Sequence, residues 1–409
     1  MRPNICIITP KKYPVPAVKG GAVEGLVENL IEQNEIYGLA DITVISVYDS
    51  DAEDKAKKLK KSRVVFVPRK KPDWLTENRG MNFINNFWVL HYAKTFIAQQ
   101  YIRRVIKVIR EEIKRNKKEF DHYIVEDGEY GIYWKLSKFV GKQNISIHLH
   151  GETVGNRALR DWFSNYICVS NFIGRRLIES GFVPTNKVYV VNNGITTSCV
   201  KEISREDRIA GRKEYGIGDD DIAIFFWGRI IPEKGVLELI NAFRMAEKRN
   251  SRLRLLIAGG ANFANSEKLT PYEKEVYELS NGVDEITMLG YVSHDEIYRM
   301  LNMFDMAVLP TLTNESASLS MIEASCAGMP LITTGTGGMP EYISDADQPF
   351  VFWSPNFIED LSDRILEVAS DKTIKKKAWN KREDYKRKYN IERYYREYIS
   401  LVEGFSNGS

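Results

Sequence analysis

Short, β-branched apolar runs alternate with amphipathic helical stretches along the chain, and that alternation leaves few folds open. NICIIT (4–9), ITVISVY (42–48), RVVFV (63–67), HYIVE (122–126), ISIHLH (145–150), YICVS (166–170) and VYVVN (188–192) are apolar on successive residues. Strands covered on both faces read this way. GAVEGLVENLIEQNEIYG (21–38) and FIGRRLIESG (172–181) carry helical spacing between them. Strand–helix–strand alternation predicts a parallel sheet with right-handed crossovers. The pattern breaks over 196–220, which is polar and charged with no strand signal. A second series follows: IAIFFWG (222–228), RLRLLIAGG (252–260), EITMLG (285–290), MAVLP (306–310), PLITTG (330–335) and FVFW (350–353). GVLELINAFRMAEKR (235–249) and LSMIEASCAG (319–328) are the helical patterns among them.

The expected fold class is therefore α/β, with two doubly wound, Rossmann-like domains joined near 195–205 and facing each other across a cleft. The length of 409 residues fits two or three domains at roughly 100–200 residues each. The division expected is 1–197 and 198–385. Ligands of such sheets bind outside the carboxyl ends of the strands, so the cleft is the expected site. The basic, aromatic tail 371–405 is expected to be helical.

Composition removes several classes. Lys+Arg 58 against Asp+Glu 55 gives only +3, too little for a dedicated nucleic-acid binder. The four cysteines, at 6, 168, 199 and 326, form no C-x-x-C pair, so neither a zinc site nor a disulfide framework is expected. Reduced thiols fit a cytoplasmic protein. MRPNICIITPKK is too short for a signal peptide, and no window of 18 apolar residues predicts a membrane span.

The strongest chemical constellation is WGRIIPEKG (227–235). Gly228 allows a tight backbone path, and Arg229 and Lys234 put two cations near a helix start. A pyrophosphate needs such a fork, point charge and helix N-terminus. The bland alternative is two solvated loop cations. In NESASLSMIEASCAGMP (314–330), Glu315 lies in a loop and Glu323 eight residues on. Between them the helix start offers free amides at Ser318, Leu319 and Ser320. Two carboxylates flanking an anion-binding helix start suit a nucleotide sugar. Taken singly, Glu315 could merely complement the helix dipole and Glu323 face solvent. TGTGGMPEYI (334–343) is a further Gly-rich turn, with Gly337 and Gly338. In the first half, VKGGAVEGL (18–26) opens a helix after the first strand, and Gly20 and Gly21 would let amides approach a phosphate or sugar. It is not G-x-G-x-x-G, so no dinucleotide fingerprint is met. His148 and His150 of HLHG (148–151) point to one face by strand periodicity. With no further His or Cys nearby, no metal is expected there. His150 is the better placed of the two to meet a ligand.

Together these pieces resemble the retaining glycosyltransferases of family four, which have the GT-B fold. The resemblance rests on Gly20–Gly21, the HLHG strand end, ICVSNFIGRRL, VVNNGI (190–195), WGRIIPEKG, LLIAGG, ITMLGYVS, and Glu315 with Glu323 in the Glu-x7-Glu pattern. It implies that Arg229 and Lys234 grip the donor diphosphate and that Glu323 binds the ribose hydroxyls. Glu315 would contact the transferred sugar, helped by the amides near Ser318 and Leu319. Tyr291 and Val292 of the GYV segment would meet the base edge through their backbone. His150 would sit by the transferred sugar, and Gly20 and Gly21 under the diphosphate. The resemblance also implies transfer with retention, no cofactor and no bound divalent metal, and a last helix of about 386–409 packing back on the N-terminal domain. Ala317, Ser318 and Thr196 stand where many members carry Phe, Gly and Asp.

The expectation is a cytoplasmic, retaining glycosyltransferase. It would use a nucleotide-sugar donor, UDP-linked, to extend a glycan or lipid-linked glycan of the cell envelope. KAKKLKKSR (55–63), PRKKPDW (68–74) and RRVIKVIREEIKRNKK (103–118), with Val105, Ile106, Ile109 and Ile113 at near-helical spacing, suit peripheral contact with an anionic membrane. MNFINNFWVLHY (81–92) would then meet a lipid-linked acceptor. A solvated charged face and a core helix are the plain alternatives. The rivals are a sugar-nucleotide epimerase, a phosphorylase, and a non-catalytic subunit that binds a nucleotide sugar or glycan.

Overall fold

The apolar runs become strands because each can bury both faces at once. The structure, a computed structural model, describes residues 2–68, 87–127, 131–152, 162–261, 269–343 and 350–407, with backbone alone for 87–97 and 406–407. PRKKPDW beyond Pro68 and residues 81–86 of MNFINNFWVLHY lie outside the described residues, as do the side chains of 87–92.

The first unit comprises Met1–Val169, Ile173–Val191 and Tyr395–Ser409; the second comprises Ser170–Phe172 and Asn192–Tyr394. In the first, β1 (Asn4–Ile8), β2 (Asp41–Val47), β3 (Ser62–Val67), β4 (His122–Glu126), β5 (Ile145–Leu149), β6 (Tyr166–Cys168) and β7 (Val188–Val190) form one sheet. Its order is β3-β2-β1-β4-β5-β6-β7, and its pairs are parallel. In the second, β8 (Ile222–Trp227), β9 (Leu253–Ala258), β10 (Ile286–Gly290), β11 (Met306–Leu309), β12 (Leu331–Thr334) and β13 (Phe350–Val351) are ordered β10-β9-β8-β11-β12-β13. They are parallel throughout. Strand order reverses between β1 and β4, and between β8 and β11. At such switch points the loops diverge and leave a crevice at the carboxyl ends of the strands.

The central strands are dry: Ile5, Cys6 and Ile7, like Ala223, Ile224 and Phe225, are fully buried. VYVVN corrects the expectation of strands covered on both faces. It forms the edge strand β7, with Val190 exposed. A run of β-branched residues does not say which strand comes last.

A second correction concerns the helix Phe87–Asn116. Val105, Ile106 and Ile109, offered above to a lipid surface, are buried in the protein, where the helix packs on β2 and β3. Arg103, Lys107, Arg110 and Lys114 remain exposed. Helical spacing marks an apolar face but not what covers it. No helix among the described residues is long and apolar enough to cross a membrane.

The polar segment 196–220 holds the helix Arg205–Glu214. Its signal was local: Ser204 caps it, accepting from the Asp207 amide at 3.0 Å. The tail forms two helices, Lys372–Lys388 and Ile391–Asn407. All four cysteines are free thiols.

Candidate functional site

In the second unit the chemistry gathers at the reversal of strand order. β8 ends at Trp227, and Gly228 (φ 149°) and Arg229 turn the chain away. Lys234 closes a single 3-10 turn, Pro232–Lys234, before the helix Val236–Glu247. Gly235 has φ 66°, and a Cβ there would lie 2.1 Å from the Pro310 carbonyl oxygen. Only glycine fits between the two loops. The Leu312 amide (2.8 Å) and the Thr311 hydroxyl (2.9 Å) both donate to the Glu233 carbonyl. The loop after β8 is thereby tied to the loop after β11. That tie brings together two groups 81 positions apart: the Lys234 ammonium is ion-paired with Glu315. Arg229 is half-buried in the same loop.

Glu315 is held from the other side by the Gly-rich turn. The Gly338 amide donates to the Glu315 carbonyl at 2.7 Å. A Cβ on Gly337 (φ 62°) would sit 2.3 Å from that same oxygen. Ser318 caps the helix Leu319–Ala327, its hydroxyl accepting from the Met321 amide at 3.4 Å. Leu319 opens the helix half-buried. Tyr291, half exposed, and Val292 follow the end of β10.

Glu323 does not face solvent; it is 1% exposed. Trp227 Nε1 donates to one of its oxygens at 2.8 Å, and His294 Nε2 lies 2.8 Å from the other. Burial opposes the charge, but His294 and the Trp227 donor outweigh it, so the carboxyl sits below its ordinary value. The Glu323 charge in turn raises His294. A raised histidine adds stability below its ordinary 6.5 and loses it as pH climbs through the raised value. A depressed glutamate keeps its contribution at and above its ordinary 4.5 and loses it as pH falls through the lowered value. The melting advantage of wild type over His294→Gln is therefore expected to peak in mild acid and fade in alkali. It should stay below about 1 kcal/mol, because the His294 side chain is mostly exposed. A difference that does not move with pH would dismiss the ion pair.

The first unit gathers its polar groups at its own reversal. His148 stands opposite Glu126 in the β4–β5 register. Its Nδ1 lies 3.0 Å from Glu126 Oε2, and His150 Nε2 lies 2.7 Å from the same oxygen. The Tyr398 hydroxyl, from the last helix, donates to Oε1 at 3.1 Å. Burial works against the Glu126 charge, and the two imidazoles outweigh it, holding the carboxyl well below the usual carboxylate range. Burial lowers His148 despite that carboxylate. The three groups each bring one potential ligand atom within 4.8 Å of the others. Hydrogen bonding to Glu126 already uses His150 Nε2. Gly20 (φ 72°) and Gly21 (φ 111°) lead into the helix Ala22–Tyr37. The buried carboxylate of Glu24 lies against Gly21, and burial raises its pKa.

Sequence reasoning named His150, Arg229, Lys234, Glu315 and Glu323 but missed Glu24, Glu126, Trp227, His294 and Tyr398. Glu126 carried a usable signal, a lone charge closing an apolar strand. Trp227 adjoined a motif already singled out. His294 and Tyr398 carried none, since their partners are distant in sequence.

Residues 207–388 match the model of the family described as glycosyl transferases group 1. The lipopolysaccharide 1,2-N-acetylglucosaminetransferase of Salmonella typhimurium is 22% identical over 273 residues, 66% of this chain and 69% of that protein. An uncharacterized glycosyltransferase of Methanocaldococcus jannaschii, MJ1607, is 30% identical over 180 residues, 43% and 44% of the two chains. Among solved structures, Anabaena Alr3699/HepE in complex with UDP-glucose aligns with TM-score 0.73 at 14% identity, over 98% of this chain and 99% of that one. At that identity the likeness speaks for the fold, which is GT-B. The family match lies within the second unit, and over residues 207–388 the chain is similar to the glycosyl transferases group 1.

Proposed function

We propose that this glycosyltransferase moves a sugar from a UDP-linked donor to a glycan or lipid-linked glycan acceptor, with retention and without a bound divalent metal. The product would be a cell-envelope polysaccharide. The carrying observation is the convergence of Lys234, Glu315 and the Ser318-capped helix start on the switch point of the second sheet. Departure of a nucleoside diphosphate builds negative charge on the β-phosphate. Arg229, Lys234 and the helix amides are fixed positive groups aimed at such charge, and they act most strongly in the transition state. They supply the electrophilic stabilisation that a divalent ion gives elsewhere.

The Lys234–Glu315 pair adds a step to this reading. An incoming diphosphate competes with Glu315 for Lys234. Once Lys234 turns to phosphate, the Glu315 carboxylate is released to accept hydrogen bonds from the hydroxyls of the sugar. Glu323, held rigid by Trp227 and His294, keeps lone pairs for the ribose. His150 stands by the transferred sugar. The polysaccharide assignment draws on the Salmonella relative, whose name places it in lipopolysaccharide synthesis. The UDP assignment draws on the UDP-glucose complex of HepE.

A thermal-shift screen with UDP, GDP, ADP and their sugar conjugates, in chelator, tests the donor. A ligand at a hundred times its dissociation constant adds about 2.7 kcal/mol. A shift with the uridine series that Glu323→Ala abolishes is the expected result. Stabilisation by another base would replace UDP. No shift with any nucleotide would turn the reading toward a non-catalytic subunit.

A further inference from the structure

The buried cluster in the first unit asks why a carboxylate should be kept charged at 1% exposure. An ionised carboxylate has only lone pairs to offer, so the His150 nitrogen facing Glu126 must carry its proton. His150 thus holds a proton on Nε2. His148 brings Nδ1 to 3.0 Å from Glu126, yet both its nitrogens are buried without a hydrogen-bond partner among the described residues. Burial disfavours its charged form. The phenol of Tyr398 takes the other carboxylate oxygen, from a residue 272 positions away on the last helix. Glu126 is therefore held by two donors, one from the turn after β5 and one from the last helix, with the His148 ring beside it. The backbone beyond it is strained as well. Asp127 has φ 34°, a region that a non-glycine residue keeps only where its surroundings impose it. The Asp127 amide is spent on the His148 carbonyl at 3.0 Å, which clamps the two strand ends together.

Of these groups only His150 reaches the surface, with 9% of its side chain exposed against 0% for His148. Its Nε2 is occupied, so Nδ1 is the ring atom left for a ligand. We propose that Glu126 is a positioning residue that fixes the tautomer and orientation of His150, and that Tyr398 makes this setting depend on the last helix of the chain. This rests on the reading above that His150 stands by the transferred sugar. With Nε2–H committed to Glu126, His150 presents an unprotonated Nδ1, an acceptor for a sugar hydroxyl. Which ring nitrogen is protonated is set by the bond the other one makes. Losing Glu126 frees the ring to rotate and to exchange tautomers, so a sugar hydroxyl would meet a mixture of donor and acceptor.

The first measurement reads the wild-type protein. The chain has five histidines, so a two-dimensional 15N imidazole spectrum of the whole protein resolves each ring, with His150→Ala identifying its signal. A proton on His150 Nε2 is the expected result. A neutral ring protonated on Nδ1 overturns the proposal. The second measurement is turnover of UDP-glucose, UDP-N-acetylglucosamine and GDP-mannose, with melting temperature recorded for every variant. Removing the orienting carboxylate of a catalytic histidine costs orders of magnitude where the wrong tautomer results. Glu126→Gln is expected to lower kcat about tenfold or more, with donor KM within about threefold. Tyr398→Phe should give a smaller loss in kcat, and Glu126→Asp should recover part of it. Normal kcat in folded Glu126→Gln, with His150→Ala impaired, removes the positioning role and spares that of His150. Normal kcat in His150→Ala removes the role of His150 itself. If Glu126→Gln does not fold, Tyr398→Phe and the wild-type spectrum decide alone. Activity that chelator abolishes and zinc or manganese restores, with the His150 signal shifted by the metal, would overturn the proposal by making the cluster a metal centre.

Discussion

Alanine at Lys234 is expected to lower kcat by about 10²–10³, the scale of removing one preorganised charge or donor from a developing anion. Lys234 sits on a turn whose shape is imposed by Gly235 against the Pro310 carbonyl. The backbone that carries its ammonium is therefore fixed before any ligand arrives. Its partner Glu315 is 16% exposed and Lys234 itself 24%, so the pair is partly screened and its loss should unfold nothing. That separates chemistry from stability. Melting temperature should change little in Lys234→Ala while kcat collapses. Lys234→Arg should recover only part of the rate, because a planar fork does not replace a compact ammonium in a site shaped for it. Glu315→Ala makes a useful companion. It removes the competitor for Lys234, so affinity for the bare nucleoside diphosphate should rise even as transfer falls. Wild-type turnover in Lys234→Ala would remove the diphosphate role.

Arg212→Ala is expected to act the other way, on stability with little effect on the rate per folded molecule. Its guanidinium is 1% exposed and donates to Asp305 (2.8 Å) and to the carbonyls of Met303 (3.3 Å), Gly218 (3.0 Å) and Asp221 (2.7 Å). Deleting one partner of a buried ion pair costs about 3–5 kcal/mol, mostly through the groups left behind. Asp305 keeps Arg208 and Lys375, which favours the lower end. At roughly 2–4 °C per kcal/mol for a unit of this size, melting should fall by about 6–12 °C. Arg208→Ala, at the exposed rim of the same network, should cost under about 1 kcal/mol. Equal losses in the two variants would show that burial of Arg212 is not what matters.

Arg212 also marks where reading the chain stopped short. It lies in the segment 196–220, whose polarity hid a capped helix. A fully buried arginine looks like a solvated one until its acceptors are placed around it. The second unit was the more legible. Arg229, Lys234, Glu315 and Glu323 lie on short motifs beside strand ends, where position along the strand implies position at the sheet rim. The structure then altered the setting of two of them, pairing Lys234 with Glu315 and burying Glu323 between Trp227 and His294. In the first unit His150 was legible, while its carboxylate was passed over because no further histidine or cysteine stood near the His148–His150 pair.

The order of apolar runs and helical spacings alone determined the two parallel α/β units, since both are properties of neighbouring residues. It also located the loops at which chemistry could sit. Which helix face meets protein rather than solvent or lipid was decided by tertiary packing, as Val105 and Ile109 show. So was every pairing that gives the site its charges. Trp227 and Glu323 lie 96 positions apart, and Glu126 and Tyr398 lie 272 apart. A buried carboxylate must find its donors wherever the fold brings them, and no local pattern records that choice.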